Sequence, residues 1–184
     1  MSLRQADGQW SHLTLGSGKA TIGQAGCTLT CLCEAVRLAT GVAVTPAEAN
    51  AKLLLDARKH FVGSGLIVHA AAKTLGIDAE PGKFVGSLQQ LRSHIVTALQ
   101  QGNMVLLHVD KDANGSGDHY VLAVERDTVD GADTIVCLDP ATGEDALLSV
   151  RDLAGRVFWG RNPKTYSVVS ARVLSAIEVN SGNP

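Results

Sequence analysis

Cys27 is the residue of this chain whose surroundings best suit chemistry. It follows the loop Gly23-Gln24-Ala25-Gly26 and opens the run CTLTCLCEAVRLAT, with helical spacing at Leu29, Leu32, Cys33 and Val36 and a stop at Gly41. A thiol attacks a carbonyl only as thiolate, and the unpaired N–H groups and dipole of a helix N-terminus favour that anion. Cys31 and Cys33 lie further along the same helix and lack the effect. With Cys137 they read as reduced, buried small side chains. Three of the four cysteines crowd one segment, which makes a poor disulfide framework, and their spacing fits no zinc pattern. No metal and no cofactor is expected.

A thiolate needs a proton partner, and histidine titrates near neutrality. Of the six histidines, His12 falls in a loop, His60 at a helix end, His69 and His94 inside helices and His108 within a strand. Each of these reads as a surface or packing residue. His119 instead leaves the polar loop Lys111 to Asp118 (KDANGSGD) and enters the hydrophobic run HYVLAV, where a rigid strand presents it at a cleft edge. Asp139 ends the next strand, IVCLDP, and the hairpin signal Asp130-Gly131 brings it back beside His119. A carboxylate there fixes the imidazole tautomer. Taken alone, Asp139-Pro140 reads first as a turn.

The elements that must position these groups follow from periodicity and caps. Helices are expected over Cys27 to Thr40, from Pro46 to about Ala57 behind the capping box Thr45/Glu48, over Leu66 to Leu75 before Gly76, and over Ser87 to Gln101 before Gly102. Strands are expected over Met104 to Val109, Tyr120 to Val124, Thr134 to Leu138, Ala146 to Val150 and Tyr166 to Val179, with a loose tail from Asn180 to Pro184. The expected class is α+β in one domain over residues 1–184. A helical half (about 1–102) carrying the nucleophile at a helix N-terminus packs on a mainly antiparallel sheet (about 103–179), with a cleft between the two lobes.

A chain of 184 residues that is 45% hydrophobic builds a core without disulfides. The net charge of -2, with scattered lysines and arginines, argues against nucleic acid. No apolar run approaches the roughly 20 residues of a membrane span. The start, MSLRQADGQW, lacks the apolar core of a secretory signal, so retention in the cytoplasm, or export by a route other than a signal peptide, is expected. Aromatic residues make up 4%, few platforms for sugars, which favours a peptide over a glycan as substrate.

Four segments in order, Arg4 to Trp10, Leu15 to Cys33, Asp118 to Glu125 and Ile135 to Gly143, resemble the bacteriocin-processing-peptidase-like branch of the papain-like cysteine peptidases. TPAEAN, with Glu48 and Asn50, matches the connection that this branch places after its first helix. The resemblance implies a papain-like fold and peptide or amide hydrolysis through a thioester at Cys27, His119 and Asp139. It also implies a glutamine that helps hold the oxyanion. Gln5 occupies the family's place for it and is favoured, with Gln24 as rival; Gln24 and Gly26, beside the cysteine, are expected to contact substrate. Stand-alone domains of this size are similar to parts of phage particles and cell-wall enzymes, which implies a peptide or peptidoglycan-peptide substrate and a possible place among other proteins of a virion. An idle triad on a structural scaffold, and acyl transfer to an amine, are the alternatives.

Overall fold

The computed structural model describes residues 2–111, 117–159 and 162–177. Part of the expected loop Lys111 to Asp118, and the tail from Asn180, lie outside these residues.

Cys27–Thr40 forms the helix, α2, that the apolar spacing predicts, ended by Gly41 at φ 73°. A single turn, α1 (Ile22–Ala25), precedes it, and α3 (Pro46–Leu54) follows with the expected capping box of Thr45 and Glu48. The run expected to Ala57 breaks at Leu55, and a separate turn, α4 (Ala57–His60), leads into the hairpin of β1 (Phe61–Val62) and β2 (Gly65–Leu66). The third expected helix, α5 (Val68–Leu75), therefore starts two residues later than Leu66. Next come β3 (Ile77–Ala79) and α6 (Leu88–Gln100), which Ser87 caps reciprocally with Gln90.

Beyond Gly102 the chain turns to strands: β4 (Met104–Asp110), β5 (His119–Val129), β6 (Ala132–Leu138), β7 (Asp145–Ser149), β8 (Ala154–Trp159) and β9 (Asn162–Ala176). All pairings are antiparallel, in the order β3-β9-β4-β5-β6-β7-β8, and β8 also pairs with β9. That last pairing closes six strands into a barrel, and β3 adds to the free length of β9. The length of β9 makes closure possible: residues 162–167 pair with β8 and residues 167–174 with β4, with a register shift between His108 and Val109.

The barrel overturns the expected papain-like α+β fold, with its helical half packed on an open sheet. β1, β2 and β3 interrupt the first half, β3 belongs to the main sheet, and that sheet closes on itself. Closure satisfies the strand-edge backbone groups that an open sheet leaves exposed.

Alternation along the strands sorts two cores. Val105, Leu107, Val121, Ala123, Ile135 and Cys137 point into the barrel and pack with Leu91 and Ile95 of α6. Met104, Leu106 and Leu122 point outward and pack with α2 and α5, so α2 lies against the outer face of β4 and β5. Among the described residues no helix is long and apolar enough to cross a membrane.

Candidate active site

The loop before α2 is pinned from two sides. Asn50, buried on α3, accepts Gly16 N–H at 3.0 Å and donates to the Thr14 carbonyl at 2.9 Å. Ala20 N–H donates to Ser64 Oγ at 3.2 Å at the β1–β2 turn. Gly26 joins α1 to α2, and a Cβ there would lie 2.4 Å from the Ile22 carbonyl oxygen, so the tight junction requires glycine. Cys27 is thereby delivered at the first position of α2, half-buried, with the Thr28 N–H directed to its sulfur.

His119 opens β5 on the inward-facing register, and it is buried. Its Nε2 meets Asp139 Oδ1 at 2.8 Å, and its side chain also hydrogen-bonds Cys27, which leaves Nδ1 to face the thiol. Asp139, 1% exposed, sits just past the end of β6. A carboxylate buried to that degree needs several donors. Oδ1 also accepts the Ala141 N–H at 2.9 Å, and Oδ2 accepts the Tyr166 hydroxyl at 2.7 Å.

These contacts set the charges. Burial raises the Cys27 pKa, but the hydrogen bond and charge of His119, with the N–H groups of Tyr120 and Thr28, outweigh it and bring the thiol below its ordinary value. Burial pulls His119 down, yet its bonds to Asp139 and Cys27 raise it to about 9. Asp139 is pushed up by burial and held down, on balance, by His119, Ala141 and Tyr166. Burial drives Cys31, Cys33 and Cys137 well above the ordinary thiol range. The geometry therefore favours a thiolate–imidazolium pair at Cys27 and His119 alone among the cysteines.

The pair opens on a cleft of about 680 Å³. One wall carries Leu15, Gly23, Leu66 and Val68; the other carries His108, Lys111, Asp118 and Tyr120. Lys111 Nζ and Asp118 Oδ2 are 2.7 Å apart. Gln5 also lines the cleft: its Nε2 donates to the Gly23 carbonyl at 3.0 Å, while its buried Oε1 finds no partner among the described residues.

Cys27, His119 and Asp139 are brought together as the sequence suggests, and Gln5 reaches the same cleft. Gln24 stands at the cleft rim, but its Oε1 accepts the Thr21 N–H at 3.0 Å and so caps α1. Gly26 is buried, and the cleft lining passes from Ala25 to Cys27 without it. Sequence reasoning missed Tyr166. The chain has two tyrosines, and a tyrosine placed inside a hydrophobic strand requires a partner for its hydroxyl, which is the signal that marks it. His108, set aside as a packing residue, lines the cleft stacked on Tyr120 with centroids 4.3 Å apart. Burial, with Lys83 nearby, lowers its pKa and keeps it neutral. Among the described residues no group of three or more His, Cys, Asp or Glu could hold a metal ion. Compared with known proteins, the chain matches no family model and no curated protein sequence.

Proposed function

We propose that this protein is a cysteine-type hydrolase of peptide or amide bonds. The hydrogen-bonded series Cys27–His119–Asp139–Tyr166, opening on a cleft at a helix N-terminus, carries the reading. Cys27 Sγ attacks the scissile carbonyl, whose π electrons move to oxygen. The second Gln5 amide N–H and the Cys27 backbone N–H receive that oxyanion. As the tetrahedral species collapses, His119 gives its proton to the amine leaving group and a thioester remains. Water, deprotonated by His119, then adds to the thioester carbon, and the C–S bond breaks to release the acid and return the thiolate–imidazolium pair. Asp139 holds the imidazole in the tautomer and orientation both halves need.

The aliphatic wall and the scarcity of aromatic side chains favour a peptide, including a peptidoglycan stem or cross-bridge, over a sugar. Resemblance of the segments around Gln5, Cys27, His119 and Asp139 to bacteriocin-processing peptidases supports the same chemistry. On that resemblance we place the protein among the components of a larger particle such as a virion.

The test is the pH dependence of iodoacetamide labelling at each cysteine, mapped by peptide mass in wild type and His119→Ala. Cys27 is expected to alkylate fastest, with its rate established below the ordinary thiol value of about 8.5 and returned to it without His119. Alkylation of Cys27 no faster than that of a free thiol overturns the reading and leaves an idle scaffold. Transfer of the acyl group to an added primary amine present far below the concentration of water, in place of hydrolysis, would assign acyl transfer.

A further inference from the structure

Glu34 is 2% exposed, and the proposed chemistry gives it no part. A buried carboxylate is costly unless its oxygens are matched by donors. One oxygen takes the Arg37 Nε–H at 2.7 Å, and that arginine side chain is 43% exposed. The other, Oε1, accepts the backbone N–H of Leu3. Leu3 belongs to a strap, residues 2–10, that crosses the end of β6. Trp10 is buried and its indole N–H binds the Arg4 carbonyl at 2.8 Å; Gln5 N–H binds the Pro140 carbonyl at 2.8 Å. The Gln5 side chain then reaches Gly23 at the cleft.

Glu34 lies seven residues, two helical turns, beyond Cys27 on α2, so both project from the same side of one helix. Its contact with Leu3 therefore ties the strap to the same rigid element that bears the thiol. The Pro140 contact ties the next residue but one to the turn that bears Asp139. From these contacts we infer that Glu34 is a positioning residue, which holds the strap so that Gln5 keeps its place on the oxyanion side of Cys27. This inference rests on the reading of Gln5 as an oxyanion donor.

Two reagents separate positioning from thiol activation. Iodoacetamide forms the S–C bond as iodide leaves, and no charge develops on a carbonyl oxygen. p-Nitrophenyl acetate acylates the thiolate through an oxyanion, which returns its electron pair as the C–O bond breaks and p-nitrophenolate departs. Gln5→Ala and Glu34→Ala are each expected to slow ester acylation by tenfold or more, toward the roughly 10²–10³ of a lost oxyanion donor, with alkylation within about twofold of wild type. Retained fast alkylation reports that the site is folded. Leu3→Pro removes the same contact from the strap side, with the loss of a partly buried side chain in place of the buried carboxylate, and should reproduce the selective loss. Wild-type ester acylation in folded Glu34→Ala, or in Leu3→Pro if the alanine variant does not fold, overturns the inference. An undiminished ester rate in Gln5→Ala instead overturns the role of Gln5, and slow alkylation in wild type overturns the hydrolase reading.

Discussion

Tyr166, in the first third of β9, donates its hydroxyl to Oδ2 of Asp139 at 2.7 Å in the barrel interior. The other carboxylate oxygen faces His119. Tyr166→Phe leaves Oδ2 buried without this donor, which is expected to destabilise the fold by about 1–3 kcal/mol. The bond helps lower the Asp139 pKa, so its stabilisation is present above the unfolded carboxylate value near 3.9 and fades as pH falls through the lower folded value. Melting temperatures of the two proteins should differ at pH 7 and converge toward pH 3. A constant gap would show that the hydroxyl acts apart from the carboxylate.

Asp139→Asn isolates charge from geometry. The amide oxygen can keep both Ala141 N–H and His119 Nε2–H, while the amide nitrogen donates to the Tyr166 hydroxyl, which rotates to accept. The fold should survive, but His119 loses the charge that helps raise its pKa. The thiolate–imidazolium population then shrinks, and alkylation of Cys27 at pH 6 should slow by up to about tenfold for each unit of pKa lost. Nuclear magnetic resonance titration of the imidazole reads the same shift directly.

The pair also shapes stability against pH. His119, raised to about 9, contributes stability that is full below its unfolded value and lost as pH rises through 9. Cys27, lowered, contributes stability that is full above its unfolded value and lost as pH falls through its folded one. Melting temperature relative to the double variant Cys27→Ala/His119→Ala should fall as pH rises toward and through about 9, where folded His119 gives up its proton. A difference that does not fall there would mean that His119 is not held charged in the folded protein.

Gly26→Ala tests how the cysteine is delivered. The added methyl meets the Ile22 carbonyl oxygen at 2.4 Å and Cγ2 at 2.7 Å, and a helical carbonyl cannot move aside. A loss of about 1–3 kcal/mol is expected, with slower alkylation of Cys27 as the start of α2 shifts. Unchanged melting and labelling would show that the α1–α2 junction absorbs the methyl.

Local signals explain what could be read in the chain. Gly26 and Gly41 bracket α2, Thr45 and Ser87 mark their helices by capping boxes, and Asp130-Gly131 forms the β5–β6 turn with φ 51° and 78°. These devices act over a few residues, and they place Cys27, His119 and Asp139. The barrel depends on pairings between distant residues. β8 begins Ala154-Gly155-Arg156, with none of the alternation that identifies a strand, and β9 begins four residues before the expected Tyr166. That short stretch holds the whole β8–β9 contact apart from its last two pairs. Leu66 reads as helical because it continues an apolar run, but pairing with Phe61 prevails. Only the resemblance marks Gln5, since its strap makes long-range contacts at Pro140, Gly23 and, through Leu3, Glu34.

The order in which a ribosome delivers these parts gives Tyr166 a second meaning. Cys27, His119 and Asp139 all emerge before β8 and β9, whereas the strand that closes the barrel and supplies the last donor to Asp139 comes near the end. A nascent chain that stops short of residue 162 contains Cys27, His119 and Asp139 with no closed barrel around them. Because synthesis proceeds from the N-terminus, closure of the barrel around His119 and Asp139 waits on the final strand.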